Sequence, residues 1–266
     1  MPGFPFHKME ACGNDFVVVY RDDLPPGADS SLAIPVCDRH FGVGADGILV
    51  VGERPLSMTV WNADGSVAEM CGNGLRCVVR RVIEDGRWDP STGDGALLAA
   101  TGRVPFRVVG DHVRVTLDAP LLTGEPEEVQ LRERTVRGYA VDMGNPHFVV
   151  FDADQPAPLP SLETWAPELE VHPRFPARTN VEHVRVAENE LTVRVWERGV
   201  GETLACGSGA CAVGAAARMT GRTQADPVRV VLPGGLLSVF WSGRAGERID
   251  LSGPARTVFA GRYSGE

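Results

Sequence analysis

The chain has 266 residues, of which 43% are hydrophobic, 23% charged and 7% aromatic, with a net charge of −9. That length fits one large domain or two of ordinary size, and the acidic balance argues against a nucleic-acid or anionic-membrane binder. Lys8 is the only lysine, so a Schiff base to pyridoxal phosphate would have to use that residue and is not expected. No apolar run approaches ~20 residues, so no membrane span is expected. The opening MPGFPFHKMEACGNDF lacks the basic head and apolar core of a signal peptide. A soluble cytoplasmic protein is the expectation. Six cysteines (Cys12, Cys37, Cys71, Cys77, Cys206 and Cys211) are too few for a disulfide scaffold in a chain this long.

In chain order, the first strand segments are FVVVY (16–20), ILVV (48–51) and SMTVW (57–61), short, β-branched and bounded by Gly, Pro or Asp. A helix follows Cys71: Leu75, Val78, Val79 and Val82 obey the i, i+3, i+4, i+7 rule, and Gly86 stands where a C-terminal cap belongs. HVRVTL (112–117) reads as a further strand. The segment LDAPLLTGEPEE (117–128), rich in Pro, Gly and acid, reads as the linker. HFVVF (147–151) and LTVRVW (191–196) are strands of the second half, the latter placing Leu191, Val193 and Val195 on one face. ACAVGAAARM is apolar nearly all round and ends before Gly221, which predicts a buried helix. The tail RTVFAGRY is strand-like and is placed back with the first half.

The chain repeats itself. Asn14 in CGNDF matches Asn145 in GNPHF, and Cys71 in MCGNGLRC matches Cys206 in ACGSGAC. Gly102 matches Gly235 or its neighbour, and Pro120 matches Pro254, all in one order at nearly one spacing. Two homologous halves explain this better than a short-period solenoid. They are residues 1–118 with 255–266, and residues 119–254. The expected fold is α/β of the α+β kind: two pseudo-symmetric halves, each a mixed, largely antiparallel sheet curled round a central helix. The active site is expected in the cleft between them.

The sharpest signal is Cys-Gly-(Asn/Ser)-Gly, present as Cys71-Gly72-Asn73-Gly74 and as Cys206-Gly207-Ser208-Gly209. Glycines allow close backbone approach, and the helix that follows leaves N–H groups unpaired. Those groups favour an anion such as a carboxylate, and the same field favours a thiolate, so a lowered thiol pKa is expected at both helix starts. Moving a thiol from ~8.5 to ~7 requires about 2 kcal/mol, within the ~2 kcal/mol that a favourable helix terminus supplies. Duplication then suggests the chemistry. A thiolate on one face of a substrate removes the Cα proton and a thiol on the other face delivers one, inverting the centre without a cofactor. The enediolate between them puts its added charge on carboxylate oxygens, where preorganised donors matter most.

The blocks GNDFVVVY, RHFGVGADGILVV, NADGSVAEMCGNGLRC, MGNPHFVVF, RTNVEHV and ERGVGETLACGSGAC resemble the signature blocks of the diaminopimelate epimerase family, in the same order from about residue 8 to residue 215. The resemblance implies interconversion of LL- and meso-diaminopimelate, a lysine and peptidoglycan precursor, through two cysteines and no cofactor. It implies Cys71 and Cys206 as the base and acid. Gly72, Asn73, Gly207 and Ser208 would bind the reacting carboxylate, and Asn14, Asn62, Asn145 and Asn180 would serve as amide ligands of the zwitterion. Arg198 would bind the distal carboxylate and Glu197 would lie near the reacting ammonium, while His147 and Glu197 would tune the cysteines. Two departures stand out. Gly47 stands where some members carry a glutamine, so a substrate contact there is absent, and His183 replaces an expected aromatic at the rim of the distal pocket.

Plainer readings compete. A lone cysteine is more often a small buried hydrophobe than a nucleophile or base, and that reading stands for Cys12, Cys37, Cys77 and Cys211. The duplicated glycine context reverses it for Cys71 and Cys206. A zinc site is the next rival, but five helical steps of ~100° put Cys206 and Cys211 on well-separated faces, and Cys71 and Cys77 fare similarly. Asn14 and Asn145 also read as turn residues, and His147 reads as a structural histidine without the resemblance. GVGADG and GSGAC do not match a dinucleotide fingerprint. The expected partner is a small amino-acid substrate, with no nucleic acid, membrane or metal; a homodimer stays open. The rival functions are racemisation of another amino acid by the same cysteine pair, and a thiol–disulfide redox role.

Overall fold

The computed structural model describes residues 3–68, 70–187 and 190–264. Glu69, within the NADGSVAEMCGNGLRC block, lies outside the described residues. The chain splits into two compact units, Met1–Val115 with Gly253–Glu266, and Thr116–Ser252.

The elements run β1 (Phe4–Ala11), β2 (Asn14–Tyr20), α1 (Ala33–Cys37), β3 (Gly47–Glu53), β4 (Leu56–Asn62), β5 (Val67–Ala68), α2 (Gly72–Glu84), β6 (Gly95–Ala99), β7 (Gly102–Val109) and β8 (His112–Leu117). They continue with β9 (Leu121–Leu122), β10 (Glu127–Gln130), β11 (Thr135–Asp142), β12 (Pro146–Phe151), α3 (Ala166–Glu170), β13 (Asn180–Ala187) and β14 (Glu190–Glu197). Then come β15 (Gly201–Thr203), α4 (Gly207–Met219), β16 (Val228–Leu232), β17 (Gly235–Phe240), β18 (Ile249–Pro254) and β19 (Arg256–Tyr263). The stretch read as linker holds β9 and the start of β10.

In the first unit the sheet runs β19–β1–β2–β3–β4–β6–β7–β8, antiparallel throughout except for the parallel pairs β2–β3 and β4–β6. In the second it runs β10–β11–β12–β13–β14–β16–β17–β18, with parallel pairs only at β12–β13 and β14–β16. The same succession of steps occurs in both units. The repeat seen in the letters is therefore a repeat of topology. Each sheet curls about one long helix: α2 packs on β1, β2, β3, β4 and β19, and α4 on β11, β12, β13, β16 and β17. No helix among the described residues is long and apolar enough to cross a membrane.

The central strands are buried on both faces, which is why FVVVY, ILVV and HFVVF are continuous apolar runs and not alternating ones. One face meets the helix. The other forms a second core: Val17, Val19, Ile48, Val50 and Trp61 pack with Leu32 and Val36 in the first unit. Phe148, Val150 and Val181 pack with Leu162, Trp165 and Leu169 in the second. Strand β14 alternates as expected, with Leu191, Val193 and Val195 buried. Helix α4 is buried nearly all round because it is built of Ala and Gly. A Cβ at Gly214 would stand 2.8 Å from Val239 Cγ1 of β17, closer than atoms pack.

Trp165, 1% exposed, anchors the second core of its unit. Trp165→Ala is expected to cost about 3–5 kcal/mol, read as a lower urea midpoint at unchanged slope.

Candidate active site

Both long helices begin on a cysteine. Cys71 is the N-cap of α2 and its Sγ accepts the Gly74 N–H at 3.3 Å. Cys206 is the N-cap of α4 and its Sγ accepts the Gly209 N–H at 3.4 Å. A sulfur thus stands where a serine or aspartate oxygen usually caps a helix. Both cysteines have extended backbone, so each thiol is presented at the first turn, beside the N–H groups of the two residues that follow.

The first unit builds a polar chain behind Cys71. Arg76, fully buried on α2, donates to Asn73 Oδ1 at 2.8 Å and to the Gly72 carbonyl at 3.3 Å. Asn73 Nδ2 donates to Asn14 Oδ1 at 3.2 Å, and Asn14 Nδ2 donates to Asp46 Oδ2 at 2.5 Å. Arg39 closes the line by donating to both Asp46 and Asp15 at 2.8 Å. The amides of Asn14 and Asn73 are therefore oriented. Asn62 ends β4 and is tied to Ser66 at 2.8 Å within its own turn. Gly47 faces Asn62 across β3–β4, and a Cβ there would lie 2.7 Å from the Trp61 carbonyl oxygen. The absent glutamine thus has a steric counterpart in the local backbone.

The second unit gathers its predicted residues more tightly. Asn145 Nδ2 donates to Ser208 Oγ at 3.4 Å, and Asn145 Oδ1 lies 3.1 Å from His147 Nε2. His147 Nδ1 lies 2.6 Å from Glu182 Oε1, and neither side chain is exposed. Ser208 Oγ is 3.5 Å from Cys206 Sγ. Glu197 accepts from Thr203 at 2.5 Å and also bonds Cys206. Asn180 Oδ1 accepts the Arg198 N–H at 2.9 Å, while its Nδ2 donates to the Pro146 carbonyl. The exposed Arg198 guanidinium donates to the Ala177 carbonyl at 3.1 Å. Buried Glu170 fixes the turn beyond it by accepting from the Gly199 N–H and from Trp196.

One expectation needs correction. The helix start does not leave Cys206 with a lowered pKa. Burial pushes the thiol well above its ordinary value, the charges of Glu197 and Glu182 push the same way, and the Ser208 and Gly209 bonds do not reverse it. Cys206 is thus held toward its thiol form. Burial also raises Glu197. Of the neighbours Glu182 and His183, Glu182 points at α4, whereas His183 packs edge-on against Trp165 and bonds Asp152 at 2.5 Å. It does not sit among the residues around Cys206. Among the cysteines read as structural, burial raises Cys12, Cys77 and Cys37, the last to about 12.

Sequence reasoning missed Arg76, Asp46 and Glu182. Each carried a signal: a charge inside an apolar helix face, an acid in the turn before a buried strand, and an acid at an inward position of a strand. Among the described residues, no group of three or more His, Cys, Asp or Glu side chains is arranged to hold a metal ion.

Similarity to known proteins agrees with this geometry. The family model for diaminopimelate epimerase matches residues 6–112 and 139–258. The diaminopimelate epimerase of Desulforudis audaxviator is 45% identical, with 97% of this chain and 98% of the relative covered. That of Microcystis aeruginosa is 40% identical, over the same shares of both chains. Among solved structures, a hydroxyproline epimerase from Agrobacterium vitis superposes with a TM-score of 0.73 at 13% identity, covering 98% of this chain and 92% of its own. A phenazine biosynthesis protein of the PhzF family from Bacillus anthracis gives 0.72 at 15% identity, covering 98% and 99%. At such identities these two speak for the fold alone. With the family model matched across both halves and relatives aligned from end to end, the chain belongs to the diaminopimelate epimerase family.

Proposed function

We propose that the protein interconverts LL- and meso-diaminopimelate by proton transfer at Cα between two cysteines, without a cofactor. The observation that carries this reading is the duplicated cap: Sγ of Cys71 and Sγ of Cys206 each accept a first-turn N–H of their own helix, at 3.3 and 3.4 Å. Inversion at one carbon needs a base for one face and an acid for the other, and the two units supply one thiol each. The Cα–H bond breaks toward the thiolate sulfur, and its electron pair moves into the carboxylate as an enediolate. The other thiol then gives its proton to the opposite face and becomes the thiolate. The pair leaves the turnover with its protonation states exchanged, ready for the reverse reaction.

The remaining site residues take roles that fit their surroundings. Backbone N–H groups of Gly72, Asn73, Gly207 and Ser208 bind the reacting carboxylate, where negative charge grows; one such donor is worth about 3–4 kcal/mol in the transition state. The oriented amides of Asn14, Asn145 and Asn180, with Asn62, hold the zwitterionic groups. Arg198, exposed and held by Ala177 and Asn180, takes the distal carboxylate, and Glu197 faces the reacting ammonium. His147, joined to Asn145 and Glu182, tunes the cysteine of its unit together with Glu197. We place the reaction in the reducing cytoplasm, where a mechanism that needs two free thiols keeps them reduced.

Cys71→Ala and Cys206→Ala are each expected to lower the conversion of LL-diaminopimelate by at least about 10³-fold, since each removes a required proton carrier. Cys77→Ala and Cys211→Ala should stay within about tenfold of the parent rate and act mainly on stability. Chiral chromatography of the product checks both, and equal loss at all four positions would point to a scaffold role. The pH profile gives a second check. Because Cys206 is held protonated, the alkaline limb of kcat/KM should lie above the ordinary thiol value of about 8.5; a limb below that value contradicts the assignment.

A further inference from the structure

The two units place different chemistry at matching positions. Leu49 and Glu182 hold the same place relative to their own helix: a Cβ on Gly74 would stand 2.8 Å from Leu49 Cδ2, and a Cβ on Gly209 would stand 2.7 Å from Glu182 Oε1. Phe16 and His147 each open the parallel pairing of their sheet, at Phe16↔Gly47 and His147↔Asn180. Asn62 and Glu197 each end a strand directly after a tryptophan. Around Cys71 these positions are apolar or neutral. Around Cys206 all three are ionisable.

Glu182 is the outlier in physical terms. It is completely buried, its Oε1 binds His147, and its Oε2 has no hydrogen-bond partner among the described residues. A buried carboxylate left half satisfied is costly for stability, and Leu49 shows that a leucine packs at the matching place. Resting on the reading of Cys71 and Cys206 as the proton-transfer pair, we propose that Glu182 is a positioning residue. Its buried carboxylate anchors His147 beside the first turn of α4 and acts together with burial and Glu197 to hold Cys206 in the thiol form.

The charges around each sulfur agree. Cys206 is faced by Glu182 from β13, Glu197 from β14, and Ser208 with the Gly209 N–H from α4, and His147 from β12 is bound to Glu182. The other strands packed on α4 bring only exposed charges, Arg137 and Asp142 on β11 and Arg229 on β16. On the Cys71 side α2 carries the buried Arg76, and β1 carries Glu10, whose carboxylate is bound to Arg256 and the Gly13 N–H. One helix start therefore has a buried cation close behind it and the other has buried carboxylates.

The test is the pH dependence of alkylation by iodoacetamide in the full chain without substrate, with each cysteine followed by peptide mapping. In the unmodified chain Cys71 should label at lower pH than Cys206. Glu182→Gln should bring the Cys206 midpoint down by about one pH unit, or about tenfold faster labelling at neutral pH, and leave Cys71 within about twofold. Glu182→Asp, which restores the charge, should keep the parent midpoint. A purely structural role would lower thermal stability in both variants without this selective shift. An unmoved Cys206 midpoint in folded Glu182→Gln overturns the proposal. So does earlier labelling of Cys206 in the unmodified chain, a result that needs no variant to fold. Labelling needs no turnover, so an inactive chain with the predicted order would retire the catalytic reading and leave the effect of Glu182 on Cys206 standing.

Discussion

A sulfur atom in the place of a helix-capping oxygen is the interaction on which this structure depends. The cap aims the thiol at the first turn, and the glycines that follow let that turn press against the sheet more closely than a side chain would allow. Gly74 and Gly209 meet Leu49 and Glu182 at distances where a Cβ could not stand. The backbone donors of the turn remain beside the sulfur, ready for a carboxylate. The curled sheet serves as the wall against which this small assembly is held.

In the proposed reaction, building the assembly twice supplies the two proton carriers that inversion of a carbon requires, but two identical thiols would not be enough. One must hold a proton while the other lacks it. The units share every parallel and antiparallel step of their sheets, yet differ where residues face the cysteine. Burial with Glu197 and Glu182 makes Cys206 a reluctant acid, whereas Cys71 is less enclosed and has Arg76 a short way along its helix. The duplication sets the symmetry and a handful of substitutions break it.

Much of this was legible in the letters. The repeat, the two Cys-Gly helix starts and the central strands followed from spacing and apolar runs, because those features come from local geometry and two-sided burial. The protonation of Cys206 was not legible. A helix terminus can be read from neighbouring residues, whereas the burial and the two carboxylates that outweigh it come from strands distant in the chain. Glu182 was passed over for the same reason. Next to His183 it looks like part of a polar pair, and only strand alternation together with the placement of α4 shows that the two face opposite sides. The Asn14–Asn73–Arg76 line likewise joins residues whose closeness only the fold reveals.

The most direct test of the central claim is the fate of the α-proton in deuterium oxide, measured by mass spectrometry at early conversion of LL-diaminopimelate. Two separate proton carriers predict that the meso product carries solvent deuterium at the inverted carbon while the recovered LL substrate remains protiated. Deuterium in both isomers at equal rates from the start would mean that one group serves both faces, and would contradict the account.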